Sequence, residues 1–369
     1  MHLKWNSAFS RVLASSVAAL VVTTNLYAIP KGPCDVKPEV CCEEIRPGPF
    51  AFVYPMDMNL NCPKDFYFHA DFLAMQAKQD GMEFVIEDSN GIGNLQVVNG
   101  TVQGFSNDHR DWKYNFGARF GMGFYLDHDA WNIDLTWTWL NIKNYKHANS
   151  NASDGVMIPL WENGIDMPDG AYGDRSSAVW NGSMNLLDAR LGKPYHISRY
   201  VIFNPHFGIR AGWIDQHFSV DYHGFGTGNR TIHHGKNDFW GFGARTGIDT
   251  DWMLGKGWGL FSNFATAILF GKFQISQSVN VSGDDQIDAR SDHYMNVPNL
   301  EIAMGLTWGS YFDKNRYHVN LKAGYEFHVW WDQLNMRKFF AGTPSIASDT
   351  VSRGNLSLNG FSLRLQLDI

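Results

Sequence analysis

Six cationic side chains, Arg119, Arg190, Arg210, Arg245, Lys322 and Arg364, stand inside stretches in which apolar and polar residues alternate. Asp71, Asp134, Asp188, Asp249, Glu301 and Glu326 stand in the same kind of stretch, on the polar parity. Residues of one parity leave an extended chain on one face, so these charges would line a common surface. Both signs occur in comparable numbers. Opposed basic and acidic rows focus a field across a water-filled constriction and select solutes by charge and size. The same groups could instead neutralise one another as ion pairs that brace strands or fill an interior. For any one pair that is the stronger expectation; for the set as a whole it is a hydrated passage.

Other chemistry finds less support. His217, His223, His233 and His234 gather around one polar stretch without metal-ligand spacing, so no metal is expected there. Asp284, Asp285, Asp288 and Asp292 lack the Gly and Glu positions of an EF-hand and read as a solvated surface loop. Neither a G-x-S-x-G elbow nor an H-E-x-x-H pair occurs, so neither an enzyme nor a cofactor is expected. A net charge of −7 without basic clusters argues against nucleic-acid binding.

The elements that would position the charges are strands. Over 114–140, Tyr114, Phe116, Ala118, Phe120, Met122 and Phe124 share one face, opposite Asn115, Gly117, Arg119, Gly121 and Gly123. A polar turn at 127–130 follows, and Trp131, Ile133, Leu135, Trp137 and Trp139 then alternate with Asn132, Asp134, Thr136 and Thr138. One face is too apolar for water and the other too polar for a dry core, whereas lipid outside and water inside suit both. The pattern recurs at 65–74, 180–191, 201–213, 240–252, 258–270, 300–308, 319–329 and 361–369, and more weakly at 82–87 and 95–105. The count is about twelve strands, with ten to sixteen compatible. Short connections at 127–130, 192–198, 254–257 and 311–316 are separated by long polar ones near 144–177, 223–237, 276–293 and 332–355. The expected fold is an all-β transmembrane antiparallel barrel over 65–369, with short periplasmic turns and long extracellular loops. Inward glycines would keep side-chain volume low and leave room for water, or mark close backbone packing.

Residues 1–28 read as a cleaved signal peptide: Lys4 and Arg11 precede a short apolar run at 12–22, and Leu26-Tyr27-Ala28 offers a cleavage site. Residues 29–64 are rich in proline and hold all four cysteines, Cys34, Cys41, Cys42 and Cys62, which suggests a periplasmic leader or a plug in the barrel mouth. In an exported chain these are disulfide candidates, within the segment or to other envelope proteins.

The run Asp65-Phe66-Tyr67-Phe68-His69-Ala70-Asp71-Phe72-Leu73 resembles the first strand of the Legionella-type pore-forming outer-membrane proteins, a group that includes the porins of chlamydia-related bacteria. Asn115-Phe116-Gly117-Ala118-Arg119-Phe120-Gly121-Met122-Gly123, Asp238-Phe239-Trp240-Gly241-Phe242-Gly243-Ala244-Arg245 and the closing strand resemble later blocks. The chain departs from the group in ending on Ile369 rather than phenylalanine and in its cysteine-rich leader. The resemblance implies a bacterial outer-membrane porin passing small hydrophilic solutes or ions by diffusion. The alternative is a structural or adhesive barrel cross-linked through the cysteines. Contact with lipid is expected in either case, and assembly with further copies stays open.

Overall fold

The computed structural model describes residues 54–55, 65–88, 100–105, 113–126, 131–149, 156–161, 173, 175–198, 200–225, 229–341, 347–351 and 353–369. The expected signal peptide, the four cysteines and the 127–130 turn lie outside the described residues. Ten strands close into an antiparallel barrel. They are β1 (Phe66–Gln79), β2 (Asn115–Tyr125), β3 (Asn132–Asn149), β4 (Arg175–Gly192) and β5 (Val201–Phe225), followed by β6 (Asn229–Gly255), β7 (Trp258–Val281), β8 (Asp284–Phe312), β9 (Tyr317–Leu334) and β10 (Gly354–Asp368).

Each strand pairs with its chain neighbour, and β10 returns to β1 in the register Arg364 to Asp71, so the ring has no open edge at this level. Closure matters because an unpaired amide in hydrocarbon costs several kcal/mol. Ile369 N donates to Phe66 O at 2.9 Å, fixing both barrel ends at the side of the short turns. That side is called the turn end and the opposite one the loop end.

Alternation sorts the side chains as the sequence suggests. On β5, Phe207 and Ile209 are 55% and 65% exposed, whereas the flanking His206 and Arg210 are 4% and 2%. The outward apolar face is solvent-exposed in the isolated chain because its natural neighbour is lipid. Exposed Trp139, Tyr200, Trp252, Trp258, Tyr317 and Trp331 stand among the outward aromatics.

The sequence and the structure part in two places. Ten strands build the wall, two fewer than the central expectation. The weak segments instead form Glu83–Asp88 and Gly100–Gly104, which join Val156–Pro159 in a separate three-stranded sheet. At 6, 5 and 4 residues they are too short to cross a bilayer, which takes about 9–11. Conversely, the stretches 223–237 and 276–293 are mostly strand rather than long loops. β5, β6, β7 and β8 run 25, 27, 24 and 29 residues, far beyond the membrane requirement. Ser282 and Gly283, at φ of 53° and 103°, close β7 onto β8 in a two-residue hairpin. The acidic run 284–292 therefore lies on β8, not on a surface loop.

At the loop end the three-stranded sheet and the hairpin Arg337–Ala341 with Ala347–Val351 pack against the inner face of the extended strands. Tyr222 Oη donates to Phe84 O at 2.6 Å, and Trp161 Nε1 donates to Glu83 O at 2.7 Å. Arg337 N donates to Gln277 Oε1 at 2.7 Å, and Gln277 Nε2 donates back to Arg337 O at 2.8 Å. Between these contacts the Phe105 ring lies tilted 5.7 Å from Trp180 and edge-on 6.2 Å from Phe218. The result is an apolar cap seated inside the mouth.

Candidate functional site

The inward positions of the turn-side half hold the charges. β1 contributes His69 and Asp71, β2 Arg119, β3 Asp134, β4 Asp188 and Arg190, and β5 Arg210. β6 contributes Arg245 and Asp249, β8 Glu301, β9 Lys322, Glu326 and His328, and β10 Arg364. All twelve charged positions singled out as lumen residues face inward, and each is ion-paired.

The pairs form one connected belt. Arg364 holds Asp71 through two bonds of 2.8 and 2.9 Å, and Asp71 also takes Arg119 Nη1 at 2.8 Å. Arg119 reaches across to Glu326 through bonds of 3.2 and 3.0 Å. His328 stands between Glu326, at 3.0 Å from Nε2, and Glu301, at 3.5 Å from Nδ1. Glu301 binds Arg245 at 2.8 Å and also Arg210, which clamps Asp188 with two bonds of 2.6 and 2.7 Å. His69 joins Asp71 at 3.5 Å to Asp134 at 3.3 Å. Asp134 receives Arg190 at 2.9 Å and Thr136 Oγ1 at 2.6 Å, and Arg190 continues to Asp249 at 3.1 Å. Lys322 and Asp251 make a further pair at 2.7 Å.

The sequence reading missed the histidines as members of this belt. His69, His206 and His328 share parity with the charges on their own strands, and that signal was available. Local composition explains how they fit. A Cβ on Gly121 would stand 2.2 Å from His69 Nε2, and one on Gly123 would stand 2.0 Å from the Tyr67 ring. Those glycines make room for rings on the neighbouring strand, not for water.

Loop-ward of the belt the lining changes to Leu73, Met75, Leu140, Met184, Leu186 and Leu358. Trp330, fully buried, lies over the Arg210 guanidinium at 5.8 Å. A chamber of about 80 Å³ remains between the two layers. At about 10–15 Å³ per water centre it has room for roughly five to eight waters. Arg245 Nε and Asn263 Oδ1, both on its lining, make no hydrogen bond to another described residue, and His206 Nε2 stands 3.7 Å from Asp249.

The four histidines around 217–234 are not brought together. His217 and His234 face outward, and His233 is buried inside against Trp161 at 5.0 Å. His233 lies well above the apolar band. Its burial, with His234 nearby, pushes its pKa down to about 3. Among the described residues no group of three or more His, Cys, Asp or Glu side chains is arranged to hold a metal.

A family model described as the Legionella pneumophila major outer membrane protein precursor matches residues 61–369. No curated protein matches the chain. Among solved structures, the outer membrane protease OmpT from Escherichia coli is similar at 9% identity and a TM-score of 0.39, covering 83% of this chain and 97% of that one. The toluene transporter TodX from Pseudomonas putida is similar at 10% identity and a TM-score of 0.29, covering 83% and 89%. Similarity that distant says nothing of activity.

Proposed function

The chain belongs to the family of the Legionella pneumophila major outer membrane protein, and from that premise we propose that it is a porin whose charged belt passes small hydrophilic solutes or ions. The carrying observation is the belt itself. Paired charges on nine of the ten strands line one interior, with buried polar atoms around the chamber that no described residue satisfies. Buried polar groups of that kind are normally met by water. In this structure the apolar cap covers the belt at the loop end, so passage requires the cap to yield. On this reading the belt's carboxylates and histidines act electrostatically and catalyse nothing.

Cleavage after Ala28 would free the segment with Cys34, Cys41, Cys42 and Cys62 for disulfides to envelope partners. A second reading, a structural or adhesive barrel, draws on the same cap, because a lumen shut by large apolar side chains conducts nothing. Planar-bilayer recording separates the two. Refolded protein should give conductance steps, and Lys322→Glu should shift the reversal potential in a salt gradient toward cation selectivity. An unchanged reversal potential with normal steps would place the conducting path elsewhere.

A further inference from the structure

The outer face of the extended wall is unlike the membrane band beneath it. The register carries rows straight across the strands. Trp213 pairs with Trp240, Trp240 with Lys272, and Lys272 with Tyr294, which marks the top of the apolar band. Tyr294 lies flat on Phe270, with ring centroids 5.8 Å apart and planes at 14°, and is 60% exposed. Four positions further up each of β5 to β8 runs a row of another kind. Asn181 pairs with His217, His217 with Lys236, Lys236 with Ser276, and Ser276 with Arg290. Five strands about 4.8 Å apart make this face roughly 20 Å wide. An open, shallow depression of about 480 Å³ lies across it.

The charges on this face are mostly consumed among themselves. Lys236 pairs with Asp238, Lys272 with Asp292 at 2.8 Å, and Arg290 with Asp288 at 3.4 Å. What remains for a ligand is a spread of amides, hydroxyls and imidazoles, including Asn181, Ser276, Ser278, Gln274 and His217. A neutral, broad, donor-and-acceptor-rich hollow bordered below by a flat exposed ring suits sugars better than phosphate. Hydroxyls exchange bonds with such groups, and the apolar face of a pyranose stacks on an aromatic. The hollow also stands directly above the lipid-facing band. An outer-leaflet lipid standing against Phe242, Ile268 and Phe270 would hold its headgroup at this height, because the loop end of an outer-membrane barrel faces the exterior.

We propose that this hollow binds the sugar portion of a glycolipid of the outer leaflet. The proposal rests on the outer-membrane placement alone and not on conduction, so a barrel that fails to conduct would leave it standing. The test measures binding of detergent-solubilised full-length protein to three probes: lipopolysaccharide with a complete core, lipid A without core sugars, and the free core oligosaccharide. Complete lipopolysaccharide should bind at least about tenfold tighter than either of the others. Ser276→Trp, which fills the middle of the hollow, should reduce it to the level of lipid A. Ser357→Trp, outward on β10 at the opposite wall, should leave it unchanged. Equal affinity for lipid A would mean recognition through phosphate or acyl chains and overturn the proposal. So would free oligosaccharide binding as tightly as the complete lipid, or an undiminished affinity in Ser276→Trp.

Discussion

Along one face of β1, Tyr67, His69 and Asp71 enter the lumen near the turn end, and Leu73, Met75 and Ala77 enter it toward the loop end. The other wall strands change over at a similar height. Arg190 and Asp188 give way to Leu186 and Met184 on β4, and Arg210 gives way to Ile214 and Phe218 on β5. Two kinds of interior therefore share one barrel. The turn-side half is held by directional charge pairs, some between adjacent strands such as Arg364 with Asp71 and some across the lumen such as Arg119 with Glu326. The loop-side half is held by close-packed apolar contact, as in a water-soluble core. A wall of this width can be filled or left open. Here the filling differs by half.

The largest expected effect falls on the charged half. Arg210→Met leaves Asp188 and Glu301 short of a buried partner, which should cost about 3–5 kcal/mol, read from urea unfolding in lipid vesicles. A cost under about 1 kcal/mol would mean that water already screens these groups, and the contrast between the halves would dissolve. Next comes the wall that encloses both. Leu135→Arg places a charge in lipid at mid-wall and should cost about 2–4 kcal/mol. Equal tolerance of Leu135→Arg and of a neutral Leu135→Ala would reverse the face assignment.

Much of this organisation can be read from the residues alone, and the reasons for the exceptions are physical. Alternation at 65–74, 114–140 and 201–213 specifies the faces because lipid and lumen demand opposite polarity. The closing contact of β10 with β1 follows from that grammar and an even strand number. The length of β5 to β8 was obscured because their upper outward face is wet. There, Asn280, Ser278 and Ser276 alternate with Val279, Gln277 and Ile275, and the mixture reads as loop. The Ser282-Gly283 dipeptide was the available hairpin signal. The cap was beyond local pattern. Glu83–Asp88 and Val156–Pro159 meet across about seventy residues through Tyr222 and Trp161, which no periodicity encodes.

A smaller, pH-dependent effect belongs to the apolar half. An unfolded imidazole takes up a proton near pH 6.5, whereas buried His233 holds out to about 3. Its contribution to cap stability is thus present above pH 6.5 and lost as pH falls from 6.5 toward 3. Protease cleavage within 83–105 should quicken over that window, and His233→Phe should flatten the dependence. An identical acid response in His233→Phe would assign the effect to the carboxylates.

The central claim is that the charged belt is a conducting path shut by the cap, and Trp330 is where the two meet. Single-channel recording of the wild type beside Trp330→Ala, each shown to be folded by its resistance to SDS, addresses this directly. The account predicts small, infrequent steps in the wild type and larger, longer-lived ones in the variant. Folded, inserted protein that gives no steps above the lipid background in either form would contradict it.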